Sequence, residues 1–198
     1  MGWMETNSKR DEILDVAEAM IRNAGFNAFS TRDVASAVGI KASSVHYYFP
    51  TKVDMGVAVT ERYTERFLTQ LGDPGRFKGD VREVVSVYVN SFRETLIRDD
   101  KLCLCAVLGA EIGGLPQEVG GHTRTFFDRN IAWLRKALAG SSKMSAAETN
   151  AFAVHILAAL EGGMILSKSL GKEKIFESVA AMLNRLCDAI GASSDRQA

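Results

Sequence analysis

Between Ser30 and Lys52 the chain is punctuated so closely that it can form only short helices. Ser30 or Thr31 supplies a side-chain oxygen to cap a helix start, Val34, Ala35 and Val38 follow as a buried stripe, and Gly39 ends the run. A second short helix is predicted from about Ser43 to Phe49, where Pro50 blocks extension because it lacks an amide hydrogen and clashes with the preceding turn. Upstream, Asn7 or Ser8 caps a helix that runs to Ala24, with Ile13, Leu14, Ala17, Met20 and Ile21 on one face and Gly25 as its stop. Phe26 and Phe29 fall in the connection. Downstream, Thr51 caps a longer helix whose Val53, Val57, Thr60, Tyr63, Phe67 and Leu71 give it an apolar face.

Two short helices joined by a glycine-bearing turn, inside a helical triplet, are the frame of a helix-turn-helix: the first braces a second that fits the major groove of duplex DNA. On that second helix Val45 and Phe49, four residues apart, form the inward face and leave Ser43, Ser44, His46, Tyr47 and Tyr48 outward. Tyrosine hydroxyls reach phosphates, and ring faces pack on thymine methyls. Lys41 and Lys52 bracket the helix, and from Ser30 to Lys52 the charges are Arg32, Lys41 and Lys52 against Asp33. The bland alternative is a surface helix whose tyrosines pack on a neighbour, but packing alone does not require the order of brace, turn, reader and lysine.

Over all 198 residues the 24 basic and 24 acidic side chains cancel, so any basic surface is local. The length carries a core without disulfides, and the 3 cysteines, two of them in Cys103-Leu104-Cys105, do not suit a disulfide framework, so a reducing, cytoplasmic setting is expected. No apolar run is expected to approach the roughly twenty residues of a membrane span. Met1–Thr6 fits the myristoylation pattern, but it is too acidic and short for a secretory signal, and no polybasic stretch follows to complete an anchor.

The only prolines, Pro50, Pro74 and Pro116, leave long stretches of helical periodicity and no useful strand-like alternation, so an all-α fold is predicted. Beyond Asp73-Pro74-Gly75 helices are expected at about 79–98, 102–113, 121–139, 145–169 and 172–190, with Gly113-Gly114-Leu115-Pro116 and Gly140-Ser141-Ser142 as loops. The organisation expected is a helix-turn-helix domain over 1–50, a connecting helix over 51–73, a second helical domain over 74–192 and a flexible tail over 193–198.

The run Thr31-Arg32-Asp33-Val34-Ala35-Ser36-Ala37-Val38-Gly39-Ile40, followed by Ser44-Val45-His46-Tyr47-Tyr48-Phe49-Pro50-Thr51-Lys52, resembles the DNA-binding signature of the TetR family of transcriptional regulators. Type, order and spacing agree over about the first quarter of the chain; His46 departs from the tyrosine more usual there. The resemblance implies an amino-terminal three-helix reader followed by a helical ligand-binding and dimerisation domain; neither enzyme activity nor a cofactor is expected. By position it implies that Thr31 and Lys52 hold phosphates, that Arg32 and Ser43 approach base edges, and that His46, Tyr47 and Tyr48 mix both kinds of contact. The function it implies is a repressor released from a pseudo-palindromic operator by a small molecule.

A homodimer is expected through the helices near 145–169 and 172–190. The latter carries Ile175, Val179, Met182 and Leu186, flanked by Phe176, Leu183 and Ile190, while Ala158, Ala159, Gly162 and Gly163 permit close approach. An effector cavity is assigned to Phe92, Leu96, Cys103, Phe127 and Trp133, and the helix from Thr51 to Leu71 is expected to be the sole covalent lever between reader and effector domain. Phe126, Phe127 and Trp133, at helical spacing around Asn130, also read simply as core, and His155 reads as hydrogen-bonded in the core or an interface. An alternative function is a thiol-based redox or electrophile sensor using Cys103 or Cys105. Against it, two cysteines about 200° apart on a helix lack zinc-site spacing, and Glu111 is not placed to depress a thiol. No metal site is expected. Metalloprotease, nucleophile-elbow and phosphate-loop motifs are absent from the sequence.

Overall fold

The computed structural model describes residues 8–141 and 144–192, and regular structure among them is helical throughout. The alternative cap Asn7, the segment Met1–Thr6, the loop residue Ser142 and the tail over 193–198 lie outside the described residues.

Helix α1 is Lys9–Ala24, with the Ser8 hydroxyl accepting from the Asp11 amide at 3.2 Å, and α2 is Thr31–Val38. At Ser30 the cap is reciprocal: its hydroxyl accepts from the Asp33 amide, and the Asp33 carboxylate accepts from the Ser30 amide at 2.7 Å. Gly39 then turns the chain at φ +73, a left-handed conformation in which a side chain would be strained. Helix α3 is Ala42–Tyr48 and α4 is Lys52–Leu71, entered through a second reciprocal cap between Thr51 and Asp54. Further on lie α5 at Val81–Arg93, α6 at Leu104–Ala110, α7 at Gln117–Leu138, α8 at Ala146–Leu170 and α9 at Lys174–Ala192.

Three elements differ from the periodicity, the first of them the helix expected over 102–113, which is only Leu104–Ala110 followed by a 3-10 turn at Ile112–Gly114. The helix expected to run to residue 98 leaves the α-helical path at Arg93 and continues as one π turn, Glu94–Arg98. Helix α7 begins at Gln117 rather than near 121, because Pro116 accepts from the Gly120 amide and the first turn tolerates Gly120 and Gly121.

The chain divides into two compact units. The first comprises the described residues up to Thr64 with Leu104–Phe126, and the second comprises Glu65–Cys103 with the residues from Phe127 onward. The division therefore does not fall at Pro74-Gly75, which lies inside the second unit. It also corrects the idea of a sole covalent lever, since the chain passes between units within α4, between Cys103 and Leu104, and within α7. In the first unit Ile13, Leu14, Ala17 and Ile21 of α1 are fully buried, and Arg62 of α4 reaches Asp15 at 2.6 Å.

In the second unit α5, α8 and α9 pack together, and Gly163 of α8 lets Val179 of α9 approach to 3.3 Å of where a Cβ would stand. Gly163 thus permits the close approach of these two helices within the chain. Helix α9 buries Phe176, Ala180, Leu183 and Cys187, so Phe176 and Leu183, expected on its flank, form the inward face, while Ile190 is half-buried. Helix α8 overturns the expectation that no apolar run reaches membrane-span length: an 18-residue window within it has a mean hydropathy of 1.4. Half of that window is buried within the protein, as in a core helix, and His155 and Glu161 interrupt its apolar run.

The tightest backbone approach in the second unit pairs Gly79, at φ +78, with Gly140: a Cβ on Gly79 would meet the Gly140 carbonyl carbon at 2.0 Å. Gly79→Ala therefore lowers stability by about 2–4 kcal/mol in urea unfolding, from combined backbone strain and overpacking. An unchanged midpoint would mean that this approach is not fixed in solution.

Candidate functional site

Helix α3 has seven residues, too few to be stable alone, and it is held by what it buries. Val45 is fully buried and Phe49 is 3% exposed, with the Arg10 guanidinium 5.2 Å from the Phe49 ring centre. The opposite face is open: Tyr47 is 82% exposed, and its ring meets that of Tyr48 edge-on at 5.1 Å. Lys41, Ser43 and His46 are exposed and Ser44 is half-buried. The His46 Nδ1 lies 3.2 Å from the Pro50 carbonyl oxygen, so a donating Nδ1 leaves Nε2 to face solvent. On α2 Arg32 is exposed and Thr31 half-buried, while hydrogen bonds from Ser30 hold the Asp33 carboxyl below its usual range.

Lys52 behaves differently from Lys41. Its ammonium lies 4.6 Å from the ring centre of Phe26 and 4.5 Å from that of Phe29, in the 3-10 turn Phe26–Ala28 and just beyond it. Partial burial lowers its pKa, against the opposing charges of Glu111 and Asp33. Glu111, which follows α6, accepts the Phe26 amide at 2.8 Å, and Gly25 at φ +89 leaves the room its carboxylate occupies. One lysine and one glutamate thus fasten the turn that precedes α2.

The second unit holds a buried polar cluster among aromatic rings. The Tyr88 hydroxyl donates to Asn130 Oδ1 at 2.7 Å, with both side chains fully buried. The Tyr88 ring lies 5.5 Å from Phe92, 5.9 Å from Trp133 and 6.0 Å from Phe67, and the Trp133 indole donates to the Gly72 carbonyl at 2.8 Å. Glu161 of α8 is 9% exposed, and neither carboxyl oxygen has a hydrogen-bond partner. Burial pushes its pKa up to about 7, although the Cys103 thiol is near enough to favour the ionised form. Burial raises the Tyr88 phenol too, with the Glu161 and Cys103 charges adding to it.

Residues 13–59 match the sequence profile described as bacterial regulatory proteins, tetR family. The chain is similar to a TetR transcriptional regulator from Legionella pneumophila, at 30% identity and a TM-score of 0.85 over 92% of this chain and 99% of that one. The chain belongs to the TetR family. A TetR-family regulator from Agrobacterium tumefaciens is also similar, at 27% identity and a TM-score of 0.82, covering 90% and 97% of the two chains. The curated matches are shorter. An uncharacterized HTH-type regulator in the dhlA 5′ region of Xanthobacter autotrophicus is 34% identical over 35% of each chain, and the HTH-type transcriptional repressor KstR2 of Mycobacterium tuberculosis is 37% identical over 26% of each. The match thus spans about a third or less of the length of those relatives.

In this TetR-family chain the residues assigned to DNA gather in the first unit, those from Lys41 to Tyr48 along one short helix. The phosphate role that the resemblance implies for Lys52 competes with its place over two rings. The five assigned to the effector all fall in the second unit. Phe92 and Trp133 flank Tyr88 and Cys103 adjoins Glu161, whereas Leu96 is buried in the π turn and Phe127 is only half-buried. Phe126 and Trp133 are core residues, and His155 lies exposed on α8 rather than in the core. Cys103 and Cys105 are both buried, which withholds them from the solvent access a thiol sensor needs. Sequence reasoning missed the Tyr88–Asn130 bond and the Glu111 clasp, since both join residues far apart in the chain. Glu161 carried a signal: a carboxylate in an apolar helix.

The contrast between the two lysines is testable. Lys52→Ala lowers first-unit stability by about 1 kcal/mol, as expected for a partly desolvated cation over aromatic rings, while Lys41→Ala, at an exposed position, changes it by less than about 0.5 kcal/mol. Equal effects in urea titrations would remove the clamp.

Proposed function

We propose that this TetR-family chain is a dimeric repressor that reads a pseudo-palindromic operator with α3 and is released by a small molecule bound in its second unit. The observation that carries the reading is Tyr47, 82% exposed between the buried Val45 and Phe49. Tyr47 and the neighbouring exposed Tyr48 present two rings and two hydroxyls side by side, groups that serve both base and phosphate contacts. Tyr47, Tyr48, Ser43 and His46 offer hydroxyl, ring and imidazole groups to base edges and phosphates, and Arg32 and Lys41 supply positive charge. A cytoplasmic location accords with this role.

The dimer half of the proposal rests on exposed apolar side chains concentrated on two helices of the second unit: Val154, Ile165, Leu166 and Leu170 of α8, and Met182 of α9. The same face on a second copy would form an isologous four-helix contact about a two-fold axis, the symmetry an inverted-repeat site requires. A ligand releases DNA only to the extent that it binds the two states of the protein with different affinity, and operator DNA then weakens ligand binding by the same factor.

Two measurements test this reading. Tyr47→Ala keeps folding stability within about 0.5 kcal/mol but weakens binding to a duplex selected from a random pool by about tenfold or more; unchanged affinity would remove α3 from its role. Sedimentation equilibrium gives a dimer for the wild type and a monomer for the Leu166→Glu, Met182→Glu double variant. A monomeric wild type at micromolar concentration would sink the dimer proposal.

A further inference from the structure

Glu161 is the one described carboxylate whose two oxygens are both buried without a hydrogen-bond partner. The groups around it do not neutralise it. Tyr88 already donates its hydroxyl proton to Asn130, and the Cys103 thiol is a weak donor. On the helices packed against α8, Arg93 of α5 pairs with Glu177 of α9 and Arg82 of α5 with Asp188 of α9, while Glu83 of α5 and Lys174 and Arg185 of α9 are exposed. On α8 itself Lys168 pairs with Asp100. No described lysine or arginine acts on Glu161, whose protonation is governed by burial and by Cys103. A buried carboxyl in that position is unfavourable to the fold, and its cost is recovered only when a donor meets it.

The acceptor couples to one aromatic ring, and two more pack on that ring. Tyr88, which couples electrostatically to Glu161, has Phe92 and Trp133 at ring separations of 5.5 and 5.9 Å. Ring faces attract cations, and a buried carboxylate attracts them more strongly still, so the combination selects positive charge carried on an apolar frame. We propose that Glu161 is the polar anchor of a ligand site in the second unit, taking a hydrophobic organic amine whose ammonium donates to the carboxylate while its apolar part lies against Tyr88, Phe92 and Trp133. This rests on the reading of the second unit as the effector-binding part and names the chemical class of that effector. Tyr88 is fully buried and Phe92 1% exposed, so binding requires the second unit to open around them, and the amine stabilises that open state in proportion to its preference for it.

Linkage supplies an independent signature. A carboxyl whose pKa rises on folding from 4.5 to about 7 makes the fold progressively less stable as pH climbs through that window. An ammonium bound to the ionised form reverses the loss and expels a proton wherever the free protein still carries one.

The test is calorimetric titration of the full chain with a graded series of aryl-alkyl primary amines of one to three rings, each beside its neutral alcohol. At least one amine binds, its alcohol binds about tenfold or more weakly, and Glu161→Gln lowers the amine's affinity by a similar factor. In buffers of different ionisation enthalpy, binding to the wild type releases a proton near pH 6 and little near pH 8, an arm that needs no variant to fold. Amines and alcohols binding alike, no amine binding, proton uptake, or a folded Glu161→Gln protein with undiminished affinity would each overturn the assignment. Duplex binding measured alongside separates the two proposals. Amines that fail to bind while DNA binding persists remove this site but not the repressor reading; amines that bind through Glu161 without changing DNA affinity support the site and remove the control.

Discussion

Burial of Val45 and Phe49 is the contact on which the amino-terminal reader depends. A seven-residue helix cannot sustain itself in water, so α3 exists only while those side chains remain inside. Their four-residue spacing fixes its rotation and hence sends Tyr47 outward. The turn at Gly39 and the reciprocal caps at Ser30 and Thr51 restrict where the helices begin and end. The Lys52 clamp and the Glu111 bond then hold the Phe26 turn from the other side. The reader is a small surface made rigid by contacts on its hidden face, which is what recognition of a groove requires.

Much of this was legible before any coordinates. The caps, Gly39 and Pro50 are local signals, and local signals place helix ends well; α1, α2 and α3 fall within a residue or so of their expected bounds. Periodicity also placed α8 and α9. What escaped was non-local. Glu111 meets the Phe26 amide across 85 residues of sequence, and no spacing rule announces that. The compact units are equally hidden, because the segment Leu104–Phe126 joins the first unit after an excursion through the second. On α9 the apolar stripe was wide enough to suggest two faces, but pattern alone did not say that Phe176 and Leu183 turn inward and Met182 outward.

The second unit breaks a local rule at Glu161, and such conflicts concentrate where a protein does something besides fold. Tyr88 finds Asn130, Trp133 finds Gly72 and Arg93 finds Glu177, whereas the Ser167 hydroxyl, also on α8, is buried without a hydrogen-bond partner as Glu161 is. Glu161 sits in the helix that also leaves Ile165, Leu166 and Leu170 exposed. One helix therefore carries both the unmet buried acceptor and the apolar surface assigned to a second copy. A ligand that moves α8 would then act on the proposed dimer contact directly, with no long chain of intermediaries.

The central claim is that two copies of α3 read one duplex about a two-fold axis. Its most direct measurement is the sequence of the duplexes that the full chain enriches from a random pool, combined with the mass of the resulting complex. The account predicts an inverted repeat with half-site centres about 10 base pairs, or a multiple, apart, and an even number of chains on each duplex. Enrichment of a single asymmetric site by one chain, or of no sequence at all, would contradict it.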